Sequence, residues 1–126
     1  MAGNALANAA AAPPTSRADT DRRVKEFLVR VGILNGDASW PYRVGKVVIF
    51  GSYLNDHEWV GDIDLAIRLE RRPAFAERWA ETVLARADAA AHRGRRFRGL
   101  VEQLAWAETE VKRYLRRGMR GLSLHD

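Results

Sequence analysis

The sequence predicts an α+β domain: a small mixed or antiparallel sheet with helices packed on one face. Three observations predict it. Two β-patterned runs follow one another mid-chain, Lys46–Phe50 and Asp62–Leu69. Apolar residues at helical spacing occur once before them and twice after. The second run alternates strictly, as a strand with one buried and one open face does. At 126 residues, 47% apolar and 29% charged, the chain suits a single core.

The elements follow in order. Met1 to Ser16 is nearly all Ala, Asn, Gly and Pro, with no stripe to dock a helix. It reads as a disordered tail, 1–16, ahead of one domain, 17–126. No Lys or Arg precedes Arg17, and apart from Met1 only Leu6 is large and aliphatic before Val24. That is a poor signal peptide, and the chain reads as cytoplasmic. A helix begins at Asp19, Thr20 and Asp21, which offer N-cap chemistry. Val24, Phe27, Leu28 and Val31 form its stripe, and Gly32 or Asn35-Gly36 ends it. Asn35 to Arg43 reads as a loop.

Lys46-Val-Val-Ile-Phe50 is apolar, β-branched and without alternation, which suits a strand covered on both faces. In the next strand Ile63, Leu65, Ile67 and Leu69 share one side; Asp62, Asp64, Ala66 and Arg68 share the other. Pro73 opens a helix with the stripe Phe75, Trp79, Val83, Ala87 and Ala90, ending near Gly94. Phe97, Leu100, Val101, Leu104, Val111 and Leu115 mark another, ending near Gly118, with Glu108 and Lys112 paired at i,i+4. Leu122 to His125 alternates as a last strand. The order is α-β-β-α-α-β.

The chain has no cysteine, which excludes disulfides, thiolate metal sites and a cysteine nucleophile. No run approaches the ~20 apolar residues of a membrane-spanning helix, so no membrane partner is expected. A net charge of +5 suits an anionic partner without naming one.

The chemistry concentrates between Val47 and Leu69. A strand delivers Gly51-Ser52, and after nine intervening residues comes Asp62-Ile-Asp64. A period of two puts both carboxylates on one face, about 6–7 Å apart along the strand. Such a pair can hold Mg²⁺, which takes oxygen ligands from one or two carboxylates and substrate phosphates. Two ions about 3.5–4 Å apart can clamp an attacking oxygen and a leaving phosphate. Gly51 lets backbone approach a phosphate closely, and Ser52 offers a hydroxyl and an N–H. Strands disfavour Asp, and two on one face repel, so a purely structural strand has little reason to carry both.

Gly51-Ser52 followed by Asp62-x-Asp64 resembles the signature of the DNA polymerase beta-like nucleotidyltransferase superfamily, and the small size resembles its minimal members. The resemblance implies a nucleotidyltransferase-like fold and a Mg²⁺-dependent, two-metal site. A nucleoside triphosphate would be the donor, with an NMP (AMP in the first instance) moved to an acceptor hydroxyl. Gly51 and Ser52 would bind phosphates; Asp62 and Asp64 would be the catalytic metal ligands. Some minimal members are antitoxins that modify a HEPN-type toxin; others modify small molecules. Catalysing members usually carry a third acid on a later strand, and the residue in that place is Asp126. Alternation sets Asp126 on the side of Leu122 and Leu124, so reaching the site requires the strand to twist or end. Glu70 lies too far along. Two alternatives stand: a non-catalytic, antitoxin-like protein-binding module, and a basic nucleic-acid-binding domain.

Weaker signals surround these. Arg68 and His57 read more simply as solvated residues than as nucleotide contacts. Arg93, Arg95, Arg96 and Arg98, and Lys112, Arg113, Arg116, Arg117 and Arg120, are basic clusters near interleaved acids or helix ends, where cations are favoured anyway. Trp79 and Trp106 read first as core packing, although Trp106 falls off its helix's main stripe, as an interface residue would.

Overall fold

The computed structural model describes residues 15–51, 59–61, 63–119 and 121–125. Strand β1 (Thr15–Ser16) leads into helix α1 (Arg17–Gly36). Strand β2 (Tyr42–Phe50), β3 (Trp59–Val60) and β4 (Ile63–Arg71) follow. A 3-10 helix (Pro73–Arg78) then runs into α2 (Trp79–His92), and α3 (Leu100–Arg116) and β5 (Leu122–His125) complete the order. The α+β class and the sequence order of the main elements are as expected. The predicted tail falls on residues 1–14, outside the described residues, except for Thr15 and Ser16. Those two pair antiparallel with Val60 and Trp59.

Ser16, not the Asp19–Asp21 group, caps α1: its Oγ accepts from the Asp19 N–H at 3.2 Å. The helix passes through Gly32 and ends at Gly36, so the connection to β2 shrinks to residues 37–41. Val24, Phe27 and Leu34 are buried, whereas Leu28 faces outward.

The three-stranded sheet has the order β2-β4-β5, with β2 antiparallel and β5 parallel to β4. The register shifts between Val44 and Lys46. That irregularity changes the parity of β2, so that Val44, Val47 and Ile49 all turn to the core beside Ile63, Leu65 and Ile67. Helices α1 and α3 cover this face through Val24, Phe27, Leu34, Val111 and Leu115. The expectation that the Lys46–Phe50 strand is covered on both faces is wrong. Val48 and Phe50 are 41% and 40% exposed. The run lacks alternation because the open face is itself apolar there.

Helix α2 packs on α3, with Ala87, Ala90, Trp106 and Phe97 in a second, smaller cluster. Trp106 is buried in it, as the core-packing reading has it, and the interface alternative falls. Its Nε1 is buried without a hydrogen-bond partner among the described residues. Leu100, Val101 and Leu104 are exposed instead, and α3 buries Trp106, Ala107, Val111 and Leu115. Periodicity identifies residues that share a face, but not which turns of the helix have a neighbour. The Glu108–Lys112 pair forms at 3.8 Å.

Candidate functional site

The open face of the sheet gathers the chemistry. Gly51 directly follows β2, and Phe50 is the register partner of Asp64 on β4. On the other side of β4, Asp64 pairs with Ser123 and Ala66 with His125. Leu122 and Leu124 pack against the core, so alternation turns Ser123 and His125 to the face of Asp64. The last strand expected at Leu122 to His125 is thus present, paired to β4.

Gly51 has φ +84°, a conformation glycine adopts without strain. A Cβ at this position would stand 2.6 Å from Oδ2 of Asp64. The glycine thus serves two ends: it turns the chain off β2, and it leaves room for the carboxylate to lie over the turn. On the other flank, Oδ1 of Asp64 lies 3.4 Å from Nε2 of His125. The His125 ring rests against Phe50, with centroids 5.5 Å apart and planes tilted by 47°. The Asp64 and His125 side chains are 32% and 52% exposed, so both remain accessible.

Of the sequence-predicted site residues, the structure brings Gly51 and Asp64 together. Ser52, Asp62 and Asp126, like His57, lie outside the described residues. Glu70, further along the same face, is engaged elsewhere: its Oε1 accepts from Arg43 Nη1 at 2.6 Å, and Arg68 Nε is 3.8 Å from its Oε2. Its carboxylate lies over Gly45, filling the space a side chain there would need. Sequence reasoning gave His125 no role. The signal that could have found it is its place two residues after Ser123 on a strand paired to Asp64.

The donor set can be weighed against a divalent ion. Asp64 offers an accessible carboxylate whose ionic neighbour among the described residues is His125. Carboxylate oxygen and imidazole nitrogen are both established divalent-ion ligands. Among the described residues no group of three or more His, Cys, Asp or Glu side chains gathers to enclose an ion. The pair therefore fits part of a coordination shell, with the remaining positions left for other donors.

Three residues of the first basic cluster have partners within the fold. Arg93 lies 3.8 Å from Glu110, Arg98 3.7 Å from Glu102, and the Arg95 guanidinium 4.1 Å above the Trp106 ring. No described helix is long and apolar enough to cross a membrane. Compared with known proteins, the chain matches no family model, no curated protein and no solved structure.

Proposed function

We propose that this chain is a divalent-metal-dependent nucleotidyltransferase of minimal size. The observation that carries the reading is the seating of the Asp64 carboxylate over Gly51, at the mouth of the β2–β4 pair. A phosphate-cradling turn and a metal-binding strand need that juxtaposition, and the sequence motif gives it a chemical meaning. Asp64, with Asp62 from the motif and Asp126 as the candidate third acid, would hold Mg²⁺. Bound there, Mg²⁺ would neutralise triphosphate charge.

The chain's own groups do the rest. Gly51 keeps the backbone bare where a phosphate approaches, and Ser52 offers a hydroxyl and N–H to its oxygens. The Phe50 ring and Val48 provide apolar surface on the same open face. In the reaction, the oxygen of an acceptor hydroxyl bonds to the α-phosphorus. The bridging bond to the β-phosphate breaks, pyrophosphate leaves, and the hydroxyl proton is released. AMP from ATP is the first group to test, and a HEPN-type toxin protein is the first acceptor.

The test is calorimetric titration of ATP with and without Mg²⁺, paired with an assay for pyrophosphate release. The expected result is Mg²⁺-dependent binding that disappears in the double variant Asp62→Asn, Asp64→Asn. Unchanged ATP affinity in that variant would refute the reading.

A further inference from the structure

We propose that the chain forms a two-fold symmetric dimer through the α2–α3 hairpin, the outer faces of the two hairpins packing on each other. The proposal is independent of the reading of the open sheet face. Its first support is an incomplete core. Helix α2 packs chiefly on α3, and of its 14 residues only Val83, Ala87 and Ala90 are buried. A helix of that length is marginal in water by itself and relies on tertiary burial of an apolar face. On α3 the stripe of Ala107, Val111 and Leu115 continues at helical spacing through Leu104 and Leu100 into the open. Leu100 is 60% exposed, and Val101 beside it 82%. Between the two helices runs an open groove of about 510 Å³, lined in part by Leu84, Ala85, Ala91, Phe97 and Leu100. Apolar residues that are contiguous in this way mark an interaction surface, whereas single exposed ones do not.

The charges around this face say what covers it. Glu81 and Asp88 line the groove on α2, while Arg95, Arg96 and Arg98 stand at the closed end of the hairpin, between α2 and α3. Asp88 lies 3.8 Å from His92 and Arg98 3.7 Å from Glu102; Glu81 and Arg96 make no ion pair among the described residues. Glu81 is about 17 Å of helix away from the last residue of α2. A two-fold axis across the hairpins sets them antiparallel, so the acidic end of each α2 meets the arginine turn of the other copy. A parallel stacking would set Glu81 against Glu81 and Arg96 against Arg96. A face with opposite signs at its two ends is complementary to itself, as the interface between two identical chains requires. Ala85 and Ala91 let a second helix approach closely, and Leu100 has the size to enter the opposite groove.

The experiment is analytical ultracentrifugation of the full chain over a dilution series. The parent should show a species of twice the 14.2 kDa of one chain, dissociating on dilution. Leu100→Glu and Leu104→Glu each place a charge in the interface and should raise the Kd of the dimer at least about tenfold. Ile33→Glu puts the same charge on α1, at a residue 59% exposed, and should leave the Kd unchanged. Glu81→Arg and Arg96→Glu should each weaken the dimer, and the two together should restore it. All five positions are exposed, and circular dichroism checks that each variant is folded. A monomer at every concentration overturns the proposal. So does a dimer that Leu100→Glu and Leu104→Glu leave intact, or one that Ile33→Glu disrupts as strongly. A charge-swapped double variant no tighter than either single one overturns the antiparallel arrangement, and with it the argument for a second copy.

Discussion

Gly51 is the residue on which most rests. A substitution to Ala forces a side chain into a positive-φ conformation at a cost of about 1–2 kcal/mol, and its Cβ meets the Asp64 carboxylate. Gly51→Ala should therefore lower stability by about that amount in denaturant titration and displace Asp64, weakening metal and nucleotide binding more than the stability loss alone explains. Gly45→Ala is the control: it meets only the flexible end of Glu70 on ordinary backbone, and should leave ligand binding intact. Asp37 offers a pH test. Its Oδ1 accepts from the Ser39 hydroxyl at 2.7 Å and the Ser39 N–H at 3.0 Å. Those bonds hold its carboxyl below the ordinary value of 3.8. A depressed folded value stabilises above the unfolded pKa, and the contribution is lost as pH falls through the folded one. Unfolding followed from pH 5 down to pH 2 should show a shallower acid loss in Asp37→Asn than in the parent. Gly51 and Asp64 were legible in the sequence because an unusual residue type at a fixed spacing carries its own reason. His125 was not, because one histidine in an alternating run says nothing until its neighbour across the sheet is known.

At the scale of elements, side chains far apart in sequence finish the helices. Arg72 Nη2 donates to the carbonyls of Leu34 and Asn35, both at 3.0 Å, closing the end of α1. Arg30 Nη1 does the same for α3, reaching the Arg117 carbonyl at 2.6 Å and Tyr114 at 3.2 Å. Asn35 pairs with the backbone of Val44, accepting at 2.8 Å and donating at 3.0 Å, next to the irregularity in β2. These bonds satisfy carbonyls that a helix end leaves open. Arg72→Ala should cost about 1–3 kcal/mol in chemical denaturation. Arg72→Lys should recover only part of it, since one ammonium cannot replace a planar guanidinium whose Nη2 meets the two helix carbonyls while its Nε donates to the Tyr42 carbonyl at 3.4 Å. A full recovery by lysine would mean that charge alone matters there. The sequence gives these two arginines no visible role, because capping between distant segments leaves no local pattern. It also placed Leu100, Val101 and Leu104 in the core, since the spacing of α3 is regular whether or not a neighbour covers its first turns.

Among the described residues the whole molecule has a one-sided architecture: α1 and α3 bury one face of the β2-β4-β5 sheet, and the other carries Val48, Phe50, Asp64 and His125. The order of elements, the last strand included, was readable from periodicity, whereas its pairing beside Asp64 is read from the sheet. The openness of the β2 face was not readable, because an apolar run reports hydrophobicity and not what lies over it. An open face that serves a ligand should show itself in global stability. A ligand that binds only the folded chain stabilises it by about 2.7 kcal/mol at a hundredfold excess over its Kd. For a domain near 100 residues, each kcal/mol raises Tm by roughly 4 °C or more. ATP with a divalent ion should therefore raise the melting temperature by roughly 10 °C at saturation. ATP with chelator should shift it little, and the Asp64→Asn variant should not respond to the pair. A basic domain built for nucleic acid behaves differently: an oligonucleotide would give the larger shift, without a divalent ion, and the shift would fade as salt rises. Differential scanning fluorimetry across those conditions separates the two, and a salt-sensitive, metal-independent response to oligonucleotide would move the chain out of the transferases.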